Sequence, residues 1–361
     1  MAKAELILEH VSKIFAEGTS REVKAVDDLS LEVRKGLLVT LLGPSGCGKT
    51  TTLRMIAGFE YPTRGRIFMG DKFINDVPPQ RRDSAMVFQS YALFPHMTVF
   101  ENVAYGLKVR RLSRREIKGK VSQALKLVDL EGLEDRSCGQ LSGGQQQRVA
   151  LCRALVTEPK VLLFDEPLSN LDAKLRVSTR EELRKLQQKL SITSIYVTHD
   201  QAEAMTISDE IAVMKDGRIQ QIGSPDQIYL HPENKFVADF IGEANFYRGT
   251  IIKSQDGRVE VELMGRLITI NHRGDFHPGD KVQVVVRPEI VEIVAKGKGD
   301  FDGVVKFSHY TGSVATYHLE LSHREKMDVK VLNPQEKGLL RDEEVVGVRL
   351  HRSNIHLLTE K

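Results

Sequence analysis

Residues 38–50 read LVTLLGPSGCGKT, a short apolar run that ends in a glycine-rich loop. From Gly43 to Thr50 the loop has the spacing GxxxxGK[ST], and a helical pattern follows it through Ala57. Glycines let such a loop curl so that backbone N–H groups point at phosphate oxygens, and the next helix N-terminus adds positive charge. The segment therefore predicts a strand, a phosphate-binding loop and a helix, and an ordinary glycine turn is the weaker interpretation.

The residues of this loop have candidate roles toward ATP and Mg²⁺. Lys49 is placed to bridge the β- and γ-phosphates, and the Thr50 hydroxyl can be a ligand of Mg²⁺. We therefore predict ATP and Mg²⁺ as cofactors. The predicted nucleotide contacts of this segment are Gly43, Pro44, Ser45, Gly46, Cys47, Gly48, Lys49, Thr50 and Thr51.

A second apolar run, VLLF at residues 161–164, ends in the two carboxylates Asp165 and Glu166. Ligands of open α/β sheets gather at the carboxyl ends of the strands. Asp165 is predicted to hold Mg²⁺, and Glu166 to orient and polarise the attacking water. Two carboxylates at a strand end also occur as a plain polar terminus, and the upstream phosphate loop favours the metal-and-base interpretation.

Composition excludes several classes of protein. The 361 residues are 41% hydrophobic and 28% charged, with a formal net charge of +3. No apolar run reaches the roughly 18 residues of a membrane-spanning helix, and the N-terminus lacks the apolar core of a secretory signal. The three cysteines form no CxxC pair, so neither a zinc site nor a disulfide framework is expected. The basic cluster at 108–118 reads as a solvated helical face, and we predict no nucleic-acid partner.

The pattern of the chain changes near residue 241. Before it, short β-branched runs alternate with helical patterns, which is typical of an α/β fold with a largely parallel sheet. Lys215-Asp216-Gly217 lies between two apolar runs and predicts a hairpin. After residue 241, short alternating strands with Gly and Asp turns indicate an all-β module of one or two small barrels. We therefore predict domains at 1–241 and 242–361.

Residues 141–145, LSGGQ, resemble the signature motif of the ABC ATPase family. Their local interpretation is a capping box, since Ser142 and Gln145 have the S-x-x-Q spacing of a helix start, and both interpretations can hold. In the family, such a helix mouth faces the γ-phosphate of ATP bound to the opposite subunit. The resemblance thus implies a homodimer with ATP contacts from Ser142, Gly143, Gly144 and Gln145.

Further positions look like other motifs of the family. Gln89 resembles the Q-loop residue that senses Mg²⁺ and the attacking water, and Asp172 ends a segment similar to the D-loop. His199 resembles the switch histidine at the γ-phosphate, although a lone histidine after a strand is more often structural. Phe15 matches the aromatic that stacks on adenine, where the family more often has Tyr. The resemblance implies catalytic roles for Glu166, His199 and Gln89, and metal ligands at Thr50, Gln89 and Asp165.

The resemblance covers nearly the whole chain and is strongest to ATPase subunits of bacterial importers for maltose, polyamines, ferric iron and sulfate. It implies an α/β P-loop NTPase (ABC ATPase) domain with a helical subdomain at about 90–157. An all-β, OB-like (TOBE-type) regulatory domain would follow. Residues 236–245, 287–289 and 310–313 are most similar to the polyamine and ferric-iron members.

The implied function is ATP hydrolysis that drives solute uptake, of polyamine (spermidine or putrescine) or of ferric iron. Mg-ATP would close a nucleotide-sandwich dimer and hydrolysis would reset it. The implied partners are a second copy, two integral-membrane permease subunits and, indirectly, an external solute-binding protein. The subunit would be peripheral, on the cytoplasmic face of the inner membrane. In the family, the segment matching residues 91–99 shapes the groove for a coupling helix of the permease.

Two alternatives stay open. A soluble ABC ATPase acting on nucleic acid or ribosomes usually has long coiled-coil insertions or tandem ATPase domains, and this chain has neither. A chiefly regulatory ABC protein would bind a ligand or a transcription factor through its β-module. Barrels of this size also bind oligonucleotides, but residues 247–361 lack interleaved aromatic and basic side chains.

Overall fold

The structure is a computed structural model that describes residues 3–271, 274–336 and 338–359. It divides into two compact units, Met1–Pro225 and Asp226–Lys361. This division lies before the boundary predicted at 241/242. The reason is that residues 226–241 pack with the second unit: the Arg287 guanidinium donates to the carbonyl oxygens of Tyr229 (3.1 Å) and Ala238 (2.8 Å).

The described helices and strands of the first unit follow the predicted α/β alternation. They are β1 (Ala4–Phe15), β2 (Val23–Arg34), β3 (Leu38–Leu42), α1 (Lys49–Ala57), β4 (Arg64–Met69), β5 (Lys72–Phe73), β6 (Ser84–Val87), α2 (Val99–Val109), α3 (Arg114–Leu127), α4 (Gly143–Leu155), β7 (Val161–Asp165), α5 (Ala173–Leu190), β8 (Thr193–Thr198), α6 (Gln201–Ile207), β9 (Glu210–Lys215) and β10 (Arg218–Gly223).

A mixed sheet in the order β10-β9-β3-β8-β7-β6 forms the centre of this unit. Strands β9, β3, β8, β7 and β6 pair in parallel, and β10 returns antiparallel through the predicted hairpin. The carboxyl ends of the parallel strands therefore lie along one edge. Asp165 is the last residue of β7, and Gly43 and His199 directly follow the ends of β3 and β8.

Both faces of this sheet are covered, which explains its near-continuous apolar strands. On β7, Val161 and Leu163 pack toward α1 and a second sheet, which is antiparallel in the order β2-β1-β4-β5. Leu162 and Phe164 alternate to the other face and pack against α2, α3 and α4. Each of these three helices begins with a capping box, as at Ser142, so the predicted helix start is confirmed.

The second unit begins with short helices and continues as antiparallel strands, which confirms the predicted all-β module. Its sheets have the orders β13-β12-β11-β14-β20 and β15-β19-β16-β17-β18, and they share one apolar core. The described elements are α7 (Pro225–Leu230), α8 (Lys235–Phe240), β11 (Asn245–Gln255), β12 (Arg258–Leu263), β13 (Arg266–Asn271), β14 (Lys281–Val286), β15 (Val291–Val294), β16 (Phe301–Tyr310), β17 (Val314–Leu321), β18 (Lys326–Leu332), β19 (Val345–Leu350) and β20 (His356–Thr359).

Candidate nucleotide-binding site

The loop between β3 and α1 has a conformation that depends on its glycines. Gly46 and Gly48 have φ angles of 80° and 101°, which L side chains rarely adopt. A Cβ atom on Gly48 would lie 2.4 Å from the carbonyl oxygen of Ala25, and one on Gly43 2.4 Å from that of Met214. The loop can therefore curl against its neighbouring strands only with glycine at these positions.

The N-terminus of α1 places positive electrostatic potential next to this loop. No side chain caps the helix at Gly48, and its first turn contains no acidic residue. The first N–H groups and the positive end of the helix dipole are thus open to an anion. Lys49 is buried, and its Nζ donates to the carbonyl oxygens of Gly43 (2.7 Å) and Pro44 (2.8 Å).

The charge of Lys49 has no counter-ion within the described chain, where no carboxylate lies within 4.0 Å of its Nζ. A buried ammonium without a paired anion is costly, and neutral carbonyl oxygens compensate only part of the charge. A phosphate group bound in the predicted loop would supply the negative charge that Lys49 lacks.

Thr50 and Asp165 bring two oxygen ligands together at the carboxyl edge. The Thr50 Oγ1 donates to Asp165 Oδ1 at 3.4 Å. Burial raises the pKa of Asp165, while the charge of Arg54 and the Thr50 hydroxyl lower it. Among the described residues no cluster of three His, Cys, Asp or Glu side chains could hold a metal alone. This fits Mg²⁺, which proteins commonly bind through one or two side chains plus substrate phosphates.

Glu166 and His199 lie side by side at the ends of neighbouring strands. The Nδ1 of His199 is 3.3 Å from Oε1 of Glu166, and the Glu166 backbone N–H donates to Val197 O at 3.1 Å. Glu166 has a φ angle of 44°, a strained conformation for a residue other than glycine. The Ser169 hydroxyl donates to the Glu166 carbonyl oxygen at 3.0 Å and helps hold this turn. The pair is arranged as a base with an orienting partner.

Gln89 and Asp172 form hydrogen bonds with Asn170 and Leu175, and in the described chain neither residue has a hydrogen bond to Lys49, Asp165 or Glu166. The Nδ2 of Asn170 donates to the main-chain oxygen of Gln89 at 2.8 Å, which ties the two predicted loops together. The side chain of Gln89 is exposed and makes no hydrogen bond within the described chain. The Asp172 carboxylate accepts from Leu175 N at 3.0 Å and caps α5. The structure therefore assigns Asp172 a helix-capping contact within its own chain.

The predicted signature segment forms the start of α4. Ser142 Oγ accepts from Gln145 N at 3.3 Å, and Gln145 Oε1 accepts from Ser142 N at 3.0 Å. Ser142 and Gly143 are exposed, while Gly144 packs beside Leu175 of α5. No hydrogen bond of the described chain joins residues 142–145 to residues 43–50.

Phe15 lies at the end of β1 with 38% of its surface exposed. The Lys13 ammonium is 4.8 Å from its ring centroid and also pairs with Glu60 at 3.0 Å. The ring is thus partly accessible, with the Lys13 ammonium over one of its faces. No ring contact of the described chain connects Phe15 to the phosphate loop.

Sequence reasoning missed the residues that shape the segment after Gln89. Arg153 of α4 donates to the carbonyl oxygens of Tyr91 (2.8 Å) and Ala92 (2.7 Å), and burial lowers its pKa. Its guanidinium also lies 5.5 Å from the centroid of the Phe94 ring. Asn102, fully buried, accepts from Phe94 N at 2.8 Å. No local signal could reveal these contacts, since Arg153 is about 60 residues from its acceptors.

The fold and the site together define a P-loop nucleotide hydrolase. Its parallel sheet carries at one edge a phosphate loop, a hydroxyl beside a carboxylate and a second carboxylate paired with a histidine.

Comparisons with known proteins identify the family to which this chain belongs within the P-loop nucleotide hydrolases. The family model described as ABC transporter matches residues 26–169, and the model described as TOBE domain matches residues 284–358. The chain is 47% identical over 355 residues to the spermidine/putrescine import ATP-binding protein PotA of Clostridium novyi (strain NT), covering 98% of each chain. It is 50% identical over 310 residues to the Fe(3+) ions import ATP-binding protein FbpC of Vibrio cholerae, covering 86% of each.

Solved structures give the same result. The dimeric structure of MJ0796, a bacterial ABC transporter cassette, matches with a TM-score of 0.54 and 31% identity, over 61% of this chain and 98% of that one. CbiO1 from Clostridium perfringens, part of the ABC transporter complex cbiONQ, matches with a TM-score of 0.57 and 32% identity, over 63% and 90%. The chain belongs to the family of ABC transporter ATP-binding proteins. The predicted importer ATPase with a C-terminal TOBE module is thus confirmed.

Proposed function

We propose that this chain binds Mg-ATP at the loop of residues 43–50 and hydrolyses it to drive solute uptake through a partner permease. The observation that carries the proposal is the buried charge of Lys49, which has no carboxylate partner among the described residues, next in the chain to Thr50, whose hydroxyl donates to Asp165. Among the described residues, no helix is long and apolar enough to cross a membrane.

The phosphates of ATP replace the carbonyl oxygens that now accept from Lys49, and the open N–H groups of α1 bind the same oxygens. Thr50, Asp165 and Gln89 are the proposed ligands of Mg²⁺, which would supply charge neutralisation at the β- and γ-phosphate oxygens. The exposed ring of Phe15 stacks on adenine. The other proposed contacts on this side are the loop residues 43–48 and Thr51.

Hydrolysis requires a water molecule in line with the bond between the γ-phosphorus and the β,γ-bridging oxygen. Glu166 accepts a proton from this water as its oxygen bonds to phosphorus, the bridging bond breaks, and ADP leaves with the electron pair. His199, 3.3 Å from the Glu166 carboxylate, orients that group and contacts the γ-phosphate. Most of the rate enhancement in this scheme comes from positioning and charge stabilisation.

A second copy of the chain completes each site. Ser142, Gly143, Gly144 and Gln145 begin a helix whose mouth is exposed, and they make no hydrogen bond to the phosphate loop of their own chain. In a two-fold dimer these groups would close over the γ-phosphate bound by the partner, with Asp172 near the same interface. The dimeric structure of the similar MJ0796 cassette supports this arrangement.

The permease contact is proposed at the segment 91–99. Phe94 and Tyr105 pack with ring centroids 4.7 Å apart, and Tyr105 keeps 42% of its surface exposed. An exposed aromatic patch next to the catalytic loop suits a partner helix. Two permease subunits and an external solute-binding protein would complete the transporter, with this chain peripheral on the cytoplasmic face of the inner membrane.

We propose a polyamine or ferric iron as the solute, because the similar proteins named above import spermidine and putrescine or Fe(3+) ions. Mass spectrometry of the complex purified from detergent-solubilised native membranes tests the transporter. A multi-span permease is the expected companion, and recovery of only soluble partners, ribosomes or DNA would overturn the proposal. Uptake of labelled putrescine and of labelled Fe³⁺, each compared with a Glu166→Gln strain, then identifies the solute.

A further inference from the structure

A cleft in the first unit lies outside the nucleotide site and has a volume of about 250 Å³. That is larger than the roughly 150 Å³ apolar cavity that holds one benzene molecule. Half of the residues that line it are aliphatic or aromatic, the side chains that dominate small-molecule pockets. The apolar wall includes Val87, Leu127, Leu151, Phe164, Leu183 and Leu186.

One polar group in this wall lacks a partner. Gln147 is 3% exposed, and its Oε1 accepts no hydrogen bond from any described residue. An amide oxygen that is buried without a donor costs free energy, so the structure has an acceptor that a ligand N–H would satisfy.

The charged groups of the cleft favour an anionic ligand at its open side. Arg148 is paired with Glu182 at 2.7 Å. Lys185 lies 3.8 Å from Glu181. Lys189 also lines the cleft and has no ion-pair partner in the part of the chain that the structure describes. Asp129 is the remaining carboxylate of the lining, so Lys189 is the cation available to a carboxylate ligand.

The walls of the cleft belong to the elements that carry the ATP site. Val87 ends β6 two residues before Gln89, and Phe164 immediately precedes Asp165. Gln147 and Leu151 lie on α4, the helix that begins after Ser142. Leu183 and Lys189 lie on α5, the helix that Asp172 caps. A ligand here would contact all four elements at once, so its affinity would differ between states of the ATP site that space these elements differently.

We propose that this cleft binds a small aromatic acid with an N–H donor, and that the bound acid alters the rate of ATP hydrolysis. The ring occupies the apolar wall, the N–H donates to Gln147 Oε1, and the carboxylate pairs with Lys189. The effect on turnover rests on the proposed function, whereas the binding itself does not.

Indole-3-acetate is a suitable probe, because the chain contains no tryptophan and the ligand fluorescence has no protein indole background. Titration with the full chain is expected to give a saturable blue shift of the ligand emission. Naphthalene-1-acetate, which lacks the N–H group, is expected to compete about tenfold more weakly, the size of one hydrogen bond to a buried acceptor. No saturable binding by either acid would overturn the proposal.

Variants test the assigned contacts. Gln147→Leu should abolish the preference for the indole acid, and Lys189→Gln should weaken both acids about fivefold, as expected for a partly exposed ion pair. Lys174→Gln, on the same helix but outside the lining, is the matched control and should bind like the unaltered chain. Equal affinity in all three variants would overturn the assignment.

Turnover is measured separately, as phosphate release with and without saturating indole-3-acetate. A change of at least twofold supports the regulatory step, provided that Lys189→Gln needs an about fivefold higher acid concentration to reach half of that change. Unchanged turnover despite binding overturns that step. If the unliganded chain fails to hydrolyse ATP, the proposed function fails while the fluorescence titration still decides the ligand site.

Discussion

Glu166 combines three features at the residue scale: a left-handed backbone, a neighbouring histidine and a position directly after Asp165, the proposed metal ligand. Its φ of 44° turns the chain so that its carboxylate reaches within 3.3 Å of His199 Nδ1. Strain of this kind persists where the surrounding structure holds it, here through the bond from the Ser169 hydroxyl to the Glu166 carbonyl oxygen. This geometry supports the proposed role of Glu166 as the base.

Glu166→Gln tests that role. The amide keeps the size of the side chain but cannot accept the proton, so turnover should fall by about 100-fold or more while ATP affinity changes little. Phosphate release and equilibrium ATP binding give the two values. Glu181→Gln, an exposed site on α5, is the control and should retain full turnover. Wild-type turnover in Glu166→Gln would remove this residue from catalysis.

Asp165 makes stability depend on pH in a definite direction. Burial raises the pKa of its carboxyl group, so the folded chain holds the proton more tightly than the unfolded chain does. Its stabilising contribution is complete below about pH 3.9, the ordinary value of an aspartate, and is lost as pH rises through the raised pKa. At neutral pH the ionised group therefore destabilises the nucleotide-free chain.

Asp165→Asn removes this penalty. In Mg²⁺-free and nucleotide-free buffer, we expect a higher melting temperature than that of the unaltered chain at about pH 7, and a smaller difference near pH 4. Thermal unfolding across this range measures both. A lower melting temperature at neutral pH would contradict the prediction, and loss of ATP hydrolysis in the same variant is expected from the proposed loss of the metal ligand.

Much of the site could be predicted residue by residue. Gly43, Gly48 and Lys49 were predictable because a phosphate loop requires close backbone approach and a cation at fixed spacing. The strain at Glu166 was not, since a φ angle depends on contacts from a neighbouring strand. The role of Asp172 in capping α5 also needed the structure, although Asp before a helix is a known cap.

At the element scale, Arg153 connects α4 to the segment after Gln89. Its guanidinium donates two hydrogen bonds to carbonyl oxygens of Tyr91 and Ala92, whose φ angles of 61° and 48° are both left-handed. Hydrogen bonds from a charged donor contribute about 1.5–3 kcal/mol each. Arg153 thus holds in place a backbone segment that would otherwise relax.

Arg153→Met keeps the length of the apolar stem and removes these bonds. We expect a loss of unfolding free energy of about 2–4 kcal/mol, and faster amide exchange across residues 90–97. Denaturant unfolding and hydrogen–deuterium exchange measure the two effects. Arg115→Met, at an exposed position of α3, should change neither. Unaltered exchange at residues 90–97 in Arg153→Met would show that other contacts, such as those of Asn102, hold the segment alone.

Elements that a short sequence pattern defines, such as a hairpin turn or a helix cap, were predictable. Hydrogen bonds between residues far apart in the chain were not. The hairpin at Lys215-Asp216-Gly217 is confirmed by β9 and β10, where Asp216 and Gly217 have φ angles of 48° and 78°. The capping box at Ser142 is confirmed as well. The division between Pro225 and Asp226 could not be read from the pattern, because it depends on bonds from the distant Arg287.

For the whole molecule, the central consequence of the proposed function is that one copy holds two incomplete halves of an ATP site. The phosphate loop and Glu166 form one half, and the exposed helix mouth at Ser142 forms the other. A two-fold dimer pairs unlike halves, so every site draws on both subunits. The sequence predicted the dimer only through its resemblance to the ABC ATPase family. The residues of one chain alone do not identify the surface at which two copies would meet.

Mixing two inactive variants tests this arrangement. Lys49→Ala destroys the phosphate loop and Ser142→Arg blocks the helix mouth, so neither homodimer should hydrolyse ATP. Their heterodimer contains one site built from the intact loop of one chain and the intact mouth of the other. Random pairing should therefore restore about a quarter of the wild-type sites.

As the control, Lys49→Ala mixed with Glu166→Gln should remain inactive, because both lesions lie in the same half. An equally inactive Lys49→Ala and Ser142→Arg mixture, despite proven heterodimers, would show that the two halves do not meet across a dimer.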